Sequence, residues 1–212
     1  MGLGLSKLAR YARIRLGPGG AVITDLHKRL DGQLKVEECA WLFRMARGVR
    51  TIIEIGSYRG KSAILLAKGS ADVGGRVWAI DPHLNFDGTD AINYMMNDDA
   101  ALRSAIAEHG VADRVTPVVA TSAEARKSWP GTPVDLLWVD GDHRYEGCLL
   151  DLRAWGPLVR EGGVVACHDY TDWEGVRRAW SEAIEADGAW RVEGRVRSII
   201  WARRVRPASA PR

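Results

Sequence analysis

Short, continuously apolar segments alternate along this chain with longer amphipathic ones. Thr51-Ile-Ile-Glu-Ile55 is apolar and rich in β-branched residues, and glycines separate it from the helix-like segment Ser62–Lys68. The same succession of strand pattern, turn and helix pattern recurs down the chain. Strands this short and apolar are buried on both faces, as parallel strands are when helices cover them. The sequence therefore predicts an α/β fold with a mostly parallel sheet covered by helices on both faces.

These patterns together predict a sheet of seven strands. Five segments are predicted to be its main strands: 51–55, 77–80, 114–119, 134–139 and 163–167. Two more, 190–196 and 198–201, are predicted to close it as an antiparallel pair. Helices are predicted over 34–47, 62–68, 100–109, 122–127, 145–159 and 174–186. Ligands of such sheets bind at the carboxyl ends of the strands, where the acidic residues and glycines of this chain fall.

The length of 212 residues fits one domain with a sizeable core. We expect an N-terminal helical extension or lid over 1–33, the α/β domain over 34–205, and a disordered tail over 206–212, which is rich in proline and small residues. No segment approaches the roughly 18 apolar residues of a membrane-spanning helix. The N-terminus lacks the uninterrupted apolar core of a signal peptide.

Much of the formal net charge of +3 comes from the two ends of the chain. The basic residues there are Lys7, Arg10, Arg13, Arg15, Arg203, Arg204, Arg206 and Arg212. Because the middle is nearly balanced, the distribution argues against a nucleic-acid partner, which requires a basic face on the folded body. Three cysteines without C-x-x-C spacing favour a reducing cytoplasm. The basic and apolar N-terminus predicts an amphipathic helix that packs on its own domain or on a second copy, as in a homodimer, rather than on a membrane.

The turn after the first predicted strand reads Glu54-Ile-Gly-Ser-Tyr-Arg-Gly60 and leads into a helix. Its glycines leave space for a ligand against the backbone, and amides at a helix start point outward. The spacing E-x-G-x-x-x-G differs from the G-x-G-x-x-G of dinucleotide sites. Asp81 ends the second strand, where a carboxylate accepts hydrogen bonds from both ribose hydroxyls. Each feature alone is equally well a turn or a solvated acid, but together they predict a nucleoside site.

Polar residues also follow the fourth and fifth predicted strands, in the segments Trp138–Gly147 and Ala166–Tyr170. Because these strands are predicted to be neighbours, Asp140, His168 and Asp169 can converge on one point. Two carboxylates and an imidazole, with places left for water and substrate oxygens, favour Mg²⁺ or Mn²⁺. A single acidic residue at one of these strand ends would be interpreted as a helix cap or a turn residue. Three acids and two histidines at two adjacent strand ends favour a functional cluster.

The motif EIGSYRG and the acid after the second strand resemble those of the class I S-adenosylmethionine-dependent methyltransferases, which have a Rossmann-like fold. The resemblance extends over residues 34–201. It implies S-adenosylmethionine as cofactor, with its methionine part near Gly56 and Ser57, its ribose on Asp81 and its adenine beside Ser122-Ala123. The candidate cofactor contacts are Glu54, Gly56, Ser57, Gly60, Ser62, Asp81, Ser122, Ala123 and Asp140.

The segments DGDH and HDY resemble those of metal-dependent sugar O-methyltransferases of the macrocin and novobiocin pathway type and of cephalosporin hydroxylase-like proteins. The resemblance implies that Asp140, His168 and Asp169 bind magnesium and that Asp142 is the general base. His168 departs from the family pattern, in which an acid often stands there. His143 is a rival base, because the unperturbed imidazole pKa of about 6.5 suits proton transfer at neutral pH.

The resemblance implies methyl transfer from S-adenosylmethionine to a hydroxyl of a saccharide or glycosylated small molecule. A methylated-mannose polysaccharide precursor is one such acceptor. A catechol-type or phenolic O-methyltransferase predicts the same ligands, and a cofactor-binding protein without turnover is a further alternative. Trp173 lies just beyond HDY, where an aromatic ring can stack on a sugar. The polar stretch from Pro82 to Asp99 is predicted to be a lid or a surface excursion.

Overall fold

The computed structural model describes residues 2–83 and 98–206, with side chains from Ala9 onward. Most of the polar stretch from Pro82 to Asp99, which was predicted to be a lid or a surface excursion, therefore lies outside the described residues. So do all residues of the predicted tail except the first. The helices are α1 Gly2–Arg15, α2 Gly20–Arg29, α3 Val36–Met45, α4 Lys61–Gly69, α5 Asp98–Glu108, α6 Ser122–Ser128, α7 Tyr145–Trp155 and α8 Glu174–Trp180. The strands are β1 Thr51–Ile55, β2 Arg76–Ile80, β3 Val115–Val118, β4 Val134–Val139, β5 Val159–Cys167, β6 Trp190–Val196 and β7 Ile199–Arg204.

The seven strands form one sheet in the order β3-β2-β1-β4-β5-β7-β6. Strands β1 to β5 pair in parallel, and β7 is antiparallel to both of its neighbours. The predicted mostly parallel sheet with an antiparallel C-terminal pair is thus confirmed. The chain runs outward to one side after β1 and to the other side after β4, so a crevice opens between the carboxyl ends of these two strands.

Neighbouring residues of each central strand are buried in different cores. Ile52 belongs to a core with α3 and α4, whereas Ile53 belongs to one with α7 and α8. Both faces of the sheet are therefore covered and shielded from water. This explains why the strands are apolar at successive positions rather than at alternate ones. Ile14, Ile23 and Leu26 of the N-terminal helices join the first core, so these helices pack on the sheet domain.

Several element bounds differ from the sequence patterns, and two of the differences have a clear physical cause. Helix α7 ends at Trp155 instead of continuing to Val159, because Gly156-Pro157 terminates it in a 3₁₀ turn. Val159 instead begins β5 and pairs with Val134 of β4, so this strand starts before the predicted Gly163. The pairing partner comes from another part of the chain, which a local pattern does not record. No helix among the described residues is long and apolar enough to cross a membrane.

Asp135 of β4 ties three strands together at the amino-terminal edge of the sheet. Its carboxylate accepts hydrogen bonds from the backbone amides of Arg50, at 3.0 Å, and Thr51, at 2.8 Å. Arg160 of β5 donates to its other oxygen. Burial alone would raise the pKa of Asp135, but Arg160 and the two amides outweigh burial and lower it.

We expect Asp135→Asn to lower the free energy of unfolding at pH 7 by about 2 kcal/mol, since it removes a charge that accepts several hydrogen bonds. A carboxylate with a depressed pKa stabilises the fold above its unfolded value of about 3.9, and this contribution is lost as the pH falls through the folded pKa. The difference from wild type should therefore shrink below about pH 4. Urea unfolding as a function of pH measures it. Asp25→Asn, at an exposed pair with Arg29, is the control and should cost under about 0.5 kcal/mol.

Candidate active site

Gly56 lets the loops after β1 and β4 approach each other at the crevice. Its φ of 85° is left-handed, and its amide donates to the carbonyl of Ile80 at 2.9 Å. A Cβ at this position would lie 2.2 Å from the carbonyl oxygen of Asp140. Only glycine fits such an approach. Gly56 also lines the cleft described below.

Gly60, the last glycine of the motif, precedes α4 with a φ of 88°. A Cβ there would lie 2.5 Å from Cδ1 of Leu102 in α5. The space beside Gly60 is thus filled by a core side chain. The left-handed φ and this contact both favour glycine here, and the predicted cofactor contact at Gly60 stays a prediction.

Two polar side chains of the motif are buried without a partner among the described residues. The hydroxyl of Ser57, a residue only 2% exposed, makes no hydrogen bond there, and it lines the cleft. Neither carboxyl oxygen of Glu54 has a partner with good geometry. Burial raises the pKa of Glu54 to about 8, and Asp140 and Asp81 add to the rise against an opposing effect of Ser62. Buried polar atoms are costly unless a ligand or water satisfies them, so this end of the cleft fits a polar ligand group.

Asp81 is held at the end of β2 by two backbone amides. Its two oxygens accept from Tyr58 and His83, each at 2.8 Å. A carboxylate oxygen has two lone-pair directions, so each oxygen keeps capacity for a ribose hydroxyl. At the end of β3, the Ser122 hydroxyl accepts from the Trp155 indole at 3.0 Å. Asp81, Ser122 and Ala123 do not line the cleft, and residues 84–97, which follow His83, lie outside the described residues.

A cleft joins the β1 turn to the polar ends of β4 and β5. It is lined by Asp31, Gly32, Gln33, Leu34, Gly56, Ser57, Tyr58, Lys61, Ser62, Asp140, His143, His168 and Asp169. The loop 31–34 and Lys61 are site residues that the sequence reasoning missed. The Lys61 ammonium donates to the carbonyls of His27, at 3.3 Å, and Gly32, at 3.1 Å, and thereby holds the loop against α4. Burial lowers the pKa of Lys61.

The ends of β4 and β5 bring the predicted metal ligands together. Cys167 pairs with Val139, so Asp140 and His168 follow side by side. Nδ1 of His168 lies 3.1 Å from Oδ1 of Asp140 and 3.3 Å from Oδ1 of Asp169. Asp169 has a φ of 57°, a left-handed conformation that is uncommon outside glycine and recurs at functional sites.

His143 joins the same cluster. Its Nε2 lies 3.0 Å from Oδ2 of Asp169 and 4.0 Å from Oδ1 of Asp140. Asp140, His143 and Asp169 each place one donor atom within 4.8 Å of the others. Adjacent donors around an octahedral ion at about 2.1 Å are about 3 Å apart. This donor set and its spacing therefore fit a divalent cation with His143 as the nitrogen ligand, while Nδ1 of His168 contacts the same two carboxylates.

The carboxylates determine the charge of both imidazoles. Burial alone would lower the pKa of His143, but Asp140 and Asp169 outweigh it and raise the pKa to about 9. The pKa of His168 is likewise raised by Asp140, Asp169 and Glu38 against the effect of burial. The pKa of Asp169 is lowered by the two histidines. Two imidazolium groups thus neutralise the acids, and a divalent cation could replace that positive charge.

Glu38 of α3 was not predicted to belong to the site. Its Oε2 accepts from the Lys35 amide at 2.7 Å and lies 3.4 Å from Nε2 of His168. Its Oε1 accepts from the amide and the hydroxyl of Ser198. The residue is 2% exposed. A glutamate in the apolar part of a helix was the only signal for it in the sequence.

Asp142, the predicted general base, is paired with Arg144. Its carboxylate accepts from the guanidinium of Arg144 at 2.6 and 3.0 Å and from the Arg144 amide at 2.9 Å. A Cβ on Gly147 would touch its Oδ2, at 2.3 Å, so it rests on the start of α7. Burial would raise the pKa of Asp142, but Arg144 lowers it. Asp142 does not line the cleft, whereas His143 does.

Trp173 covers His143 from the solvent side. The two rings are stacked, with centroids 5.1 Å apart and planes 19° apart. Trp173 remains 41% exposed, so it still presents apolar surface beside the cluster. Trp138, Trp155 and Trp180, by contrast, are fully buried.

Solved structures of low sequence identity share this fold. The chain is similar to cofactor-bound Rv0187 from MTB, with 21% identity and a TM-score of 0.67 over 88% of this chain and 89% of that one. It is similar to an O-methyltransferase from Bacillus cereus in complex with SAH, with 19% identity and a TM-score of 0.67 over 89% and 93%. It is also similar to the O-methyltransferase TomG from Streptomyces achromogenes, which is involved in tomaymycin synthesis and was solved in complex with SAM. The identity is 21% and the TM-score 0.63, over 87% of this chain and 88% of that one.

The family comparison covers the site itself. The model of Methyltransf_24, described as a methyltransferase domain, matches residues 53–170. The match begins within β1 and ends just after Asp169, so it includes the Gly56 turn and the polar ends of β4 and β5. It takes in more than half of the 212 residues, and the chain therefore belongs to this methyltransferase family.

Proposed function

We propose that this chain transfers a methyl group from S-adenosylmethionine to a hydroxyl group and that it requires a divalent cation. The family match supports methyl transfer. The observation that carries the rest is the convergence of Asp140, His143, His168 and Asp169, with spacings of 3.0 to 4.0 Å, at the end of the cleft lined by Gly56 and Ser57. When bound, the cation would lower the pKa of an acceptor hydroxyl and the sulfonium cofactor would supply the methyl group.

In this proposal, Asp140, His168 and Asp169 hold the cation. Glu38 lies against Nε2 of His168, which favours a proton on that nitrogen and leaves Nδ1 free between the two carboxylates. Carboxylate–histidine pairs of this kind commonly fix the tautomer of a metal ligand. Glu38 is then a positioning residue, since it acts through His168.

His143 is the general base in this proposal. Its ring lines the cleft, and the stacking of Trp173 restricts its orientation. Asp142 is engaged by Arg144, and a carboxylate with a lowered pKa is a poor proton acceptor at neutral pH. With the cation in place of the proton that Asp140 and Asp169 otherwise hold on His143, its neutral ring would accept the proton of the acceptor hydroxyl at Nε2, while the backbone around Gly56 and Ser57 positions the cofactor.

We further propose a saccharide or a glycosylated small molecule as acceptor. A larger cleft of about 920 Å³ adjoins the cluster and shares His168 and Asp169 with it. Its lining is mostly polar or charged and includes Arg10, Tyr11, His27, Gln33, Lys35, Thr171, Asp172, Arg197 and Ser198. A flat phenol is recognised mainly by apolar surface, whereas a sugar offers many hydroxyls to such groups.

Metal binding is tested on the ligands. Removal of divalent ions with a chelator should abolish methyl transfer, and Mg²⁺ or Mn²⁺ should restore it. Asp169→Asn and His168→Gln should weaken Mn²⁺ binding at least about 10-fold, as loss of a ligand or of its support does. Electron paramagnetic resonance titration measures this binding without turnover. Full activity in chelator-treated protein would refute the cation requirement.

The identity of the base is tested by comparing neighbouring residues. His143→Gln should lower kcat by about 100-fold or more, the usual contribution of a general base, and should leave Mn²⁺ and S-adenosylmethionine affinities within a few-fold of wild type. Asp142→Asn is the matched control and should retain most of kcat. If His143→Gln loses Mn²⁺ binding while His168→Gln keeps it, His143 is the metal ligand and His168 is not.

The acceptor class is tested by competition. Incubation with S-adenosylmethionine, Mg²⁺, a mixture of sugars and catechol should give methylated sugar, detected as a gain of one methyl group by mass spectrometry. Arg197→Gln, in the wall of the polar cleft, should raise KM for the sugar with little change in kcat, because Arg197 is remote from the reacting atoms. Exclusive methylation of catechol would instead support a phenolic O-methyltransferase.

A further inference from the structure

A second cavity lies on the opposite edge of the sheet from the candidate active site. It encloses about 960 Å³ at the amino-terminal ends of the strands, between α1, α3 and the starts of β4 and β5. Val49, just before β1, and Leu136 of β4 lie in its wall. None of the residues assigned above to cofactor, cation or base lines it. It meets the polar cleft proposed for the acceptor only at Arg10 and Glu37, which line both.

Arginines from four separate elements converge on this cavity. The six are Arg10, Arg13, Arg44, Arg47, Arg160 and Arg203. Three of them, Arg10, Arg13 and Arg203, belong to the basic residues at the two ends of the chain. Among the residues whose side chains the structure describes, only two acids, Glu37 and Asp135, line the same cavity. No lysine of that part of the chain lines it, so the positive charge described there is carried by guanidinium groups.

Half of these arginines have no acid to balance them. Arg160 pairs with Asp135, Arg203 with Glu193, and Arg10 lies 3.5 Å from Glu37, which also binds Arg197. Arg13, Arg44 and Arg47 form no ion pair with any carboxylate that the structure describes. Like charges brought together in a concave surface repel one another and attract a counter-ion from solution.

The floor of the cavity is apolar. Ile14, Trp41, Met45 and Val164 lie beneath the arginines. The volume is at the upper end of the range of small-molecule sites, roughly 300 to 1,000 Å³. A ligand that fits both parts carries a charged group and an apolar body. Guanidinium groups bind phosphate bidentately, and a dianion balances three unpaired arginines better than a single carboxylate does.

We propose that this cavity binds an organic phosphate, with the phosphate among Arg13, Arg44 and Arg47 and the apolar portion over Trp41. Such a ligand comes either from a soluble metabolite or from a phospholipid headgroup. The recognition chemistry is the same for both, and the choice of probe separates them. The three arginines proposed to hold the phosphate line neither of the clefts assigned to methyl transfer.

Isothermal titration of the full chain with 1-naphthyl phosphate tests the proposal, with neutral 1-naphthol and inorganic phosphate as comparisons. We expect naphthyl phosphate to bind at least about tenfold more tightly than either, with an affinity that falls as salt is added. Arg13→Gln combined with Arg47→Gln should weaken that binding at least tenfold. Both side chains are exposed, so the fold should be retained. The control, Arg29→Gln with Arg103→Gln, removes the same charge from exposed pairs outside the cavity and should change binding less than twofold.

Vesicles distinguish the two sources. If the ligand is a phospholipid headgroup, the protein should sediment with phosphatidylglycerol vesicles and not with phosphatidylcholine vesicles. The Arg13/Arg47 double variant should then no longer sediment with phosphatidylglycerol vesicles. Binding of naphthyl phosphate without vesicle binding would assign it to a soluble phosphate. The proposal is overturned if neither probe binds, if the double variant binds as wild type does, or if the control loses as much affinity.

Discussion

The contact on which the site depends is the approach of the loop after β1 to the loop after β4. At Gly56 a single methyl group would collide with the carbonyl of Asp140. This closeness places the turn proposed for the cofactor directly beside the first of the clustered acids. The parallel register of β4 and β5 then brings His168 and Asp169 to the same edge. A cofactor turn and a cation cluster thus share one crevice because two backbone segments touch.

Electrostatics then organises the crevice. Three carboxylates, Glu38, Asp140 and Asp169, surround His168, and two of them also face His143. Burial disfavours charge on each group taken alone, yet the pairs hold one another charged. The arrangement tolerates either two imidazolium groups or a cation among the acids. A site with this property exchanges protons when it exchanges metal.

Much of this architecture was predictable because it follows from local pattern. The β1 and β4 segments match the sequence prediction, since burial on both faces leaves a clear apolar signature in the central strands. Asp140, His168 and Asp169 were predictable because parallel neighbours end at the same edge. The orientation of Asp142 was not, because it depends on a salt bridge with Arg144 that competes with the site. Glu38, Lys61 and the loop 31–34 act through long-range contacts, which spacing along the chain does not reveal.

The hydrogen bonds of Glu38 to Ser198 join residues 160 positions apart and meet at His168. A nascent chain emerging from the ribosome has all of its sheet-edge acids before it has this serine. The cluster therefore gains its last support only when the C-terminal hairpin has been synthesised and has folded against α3. Truncation from the C-terminal end would release the histidine support before it removed any proposed ligand.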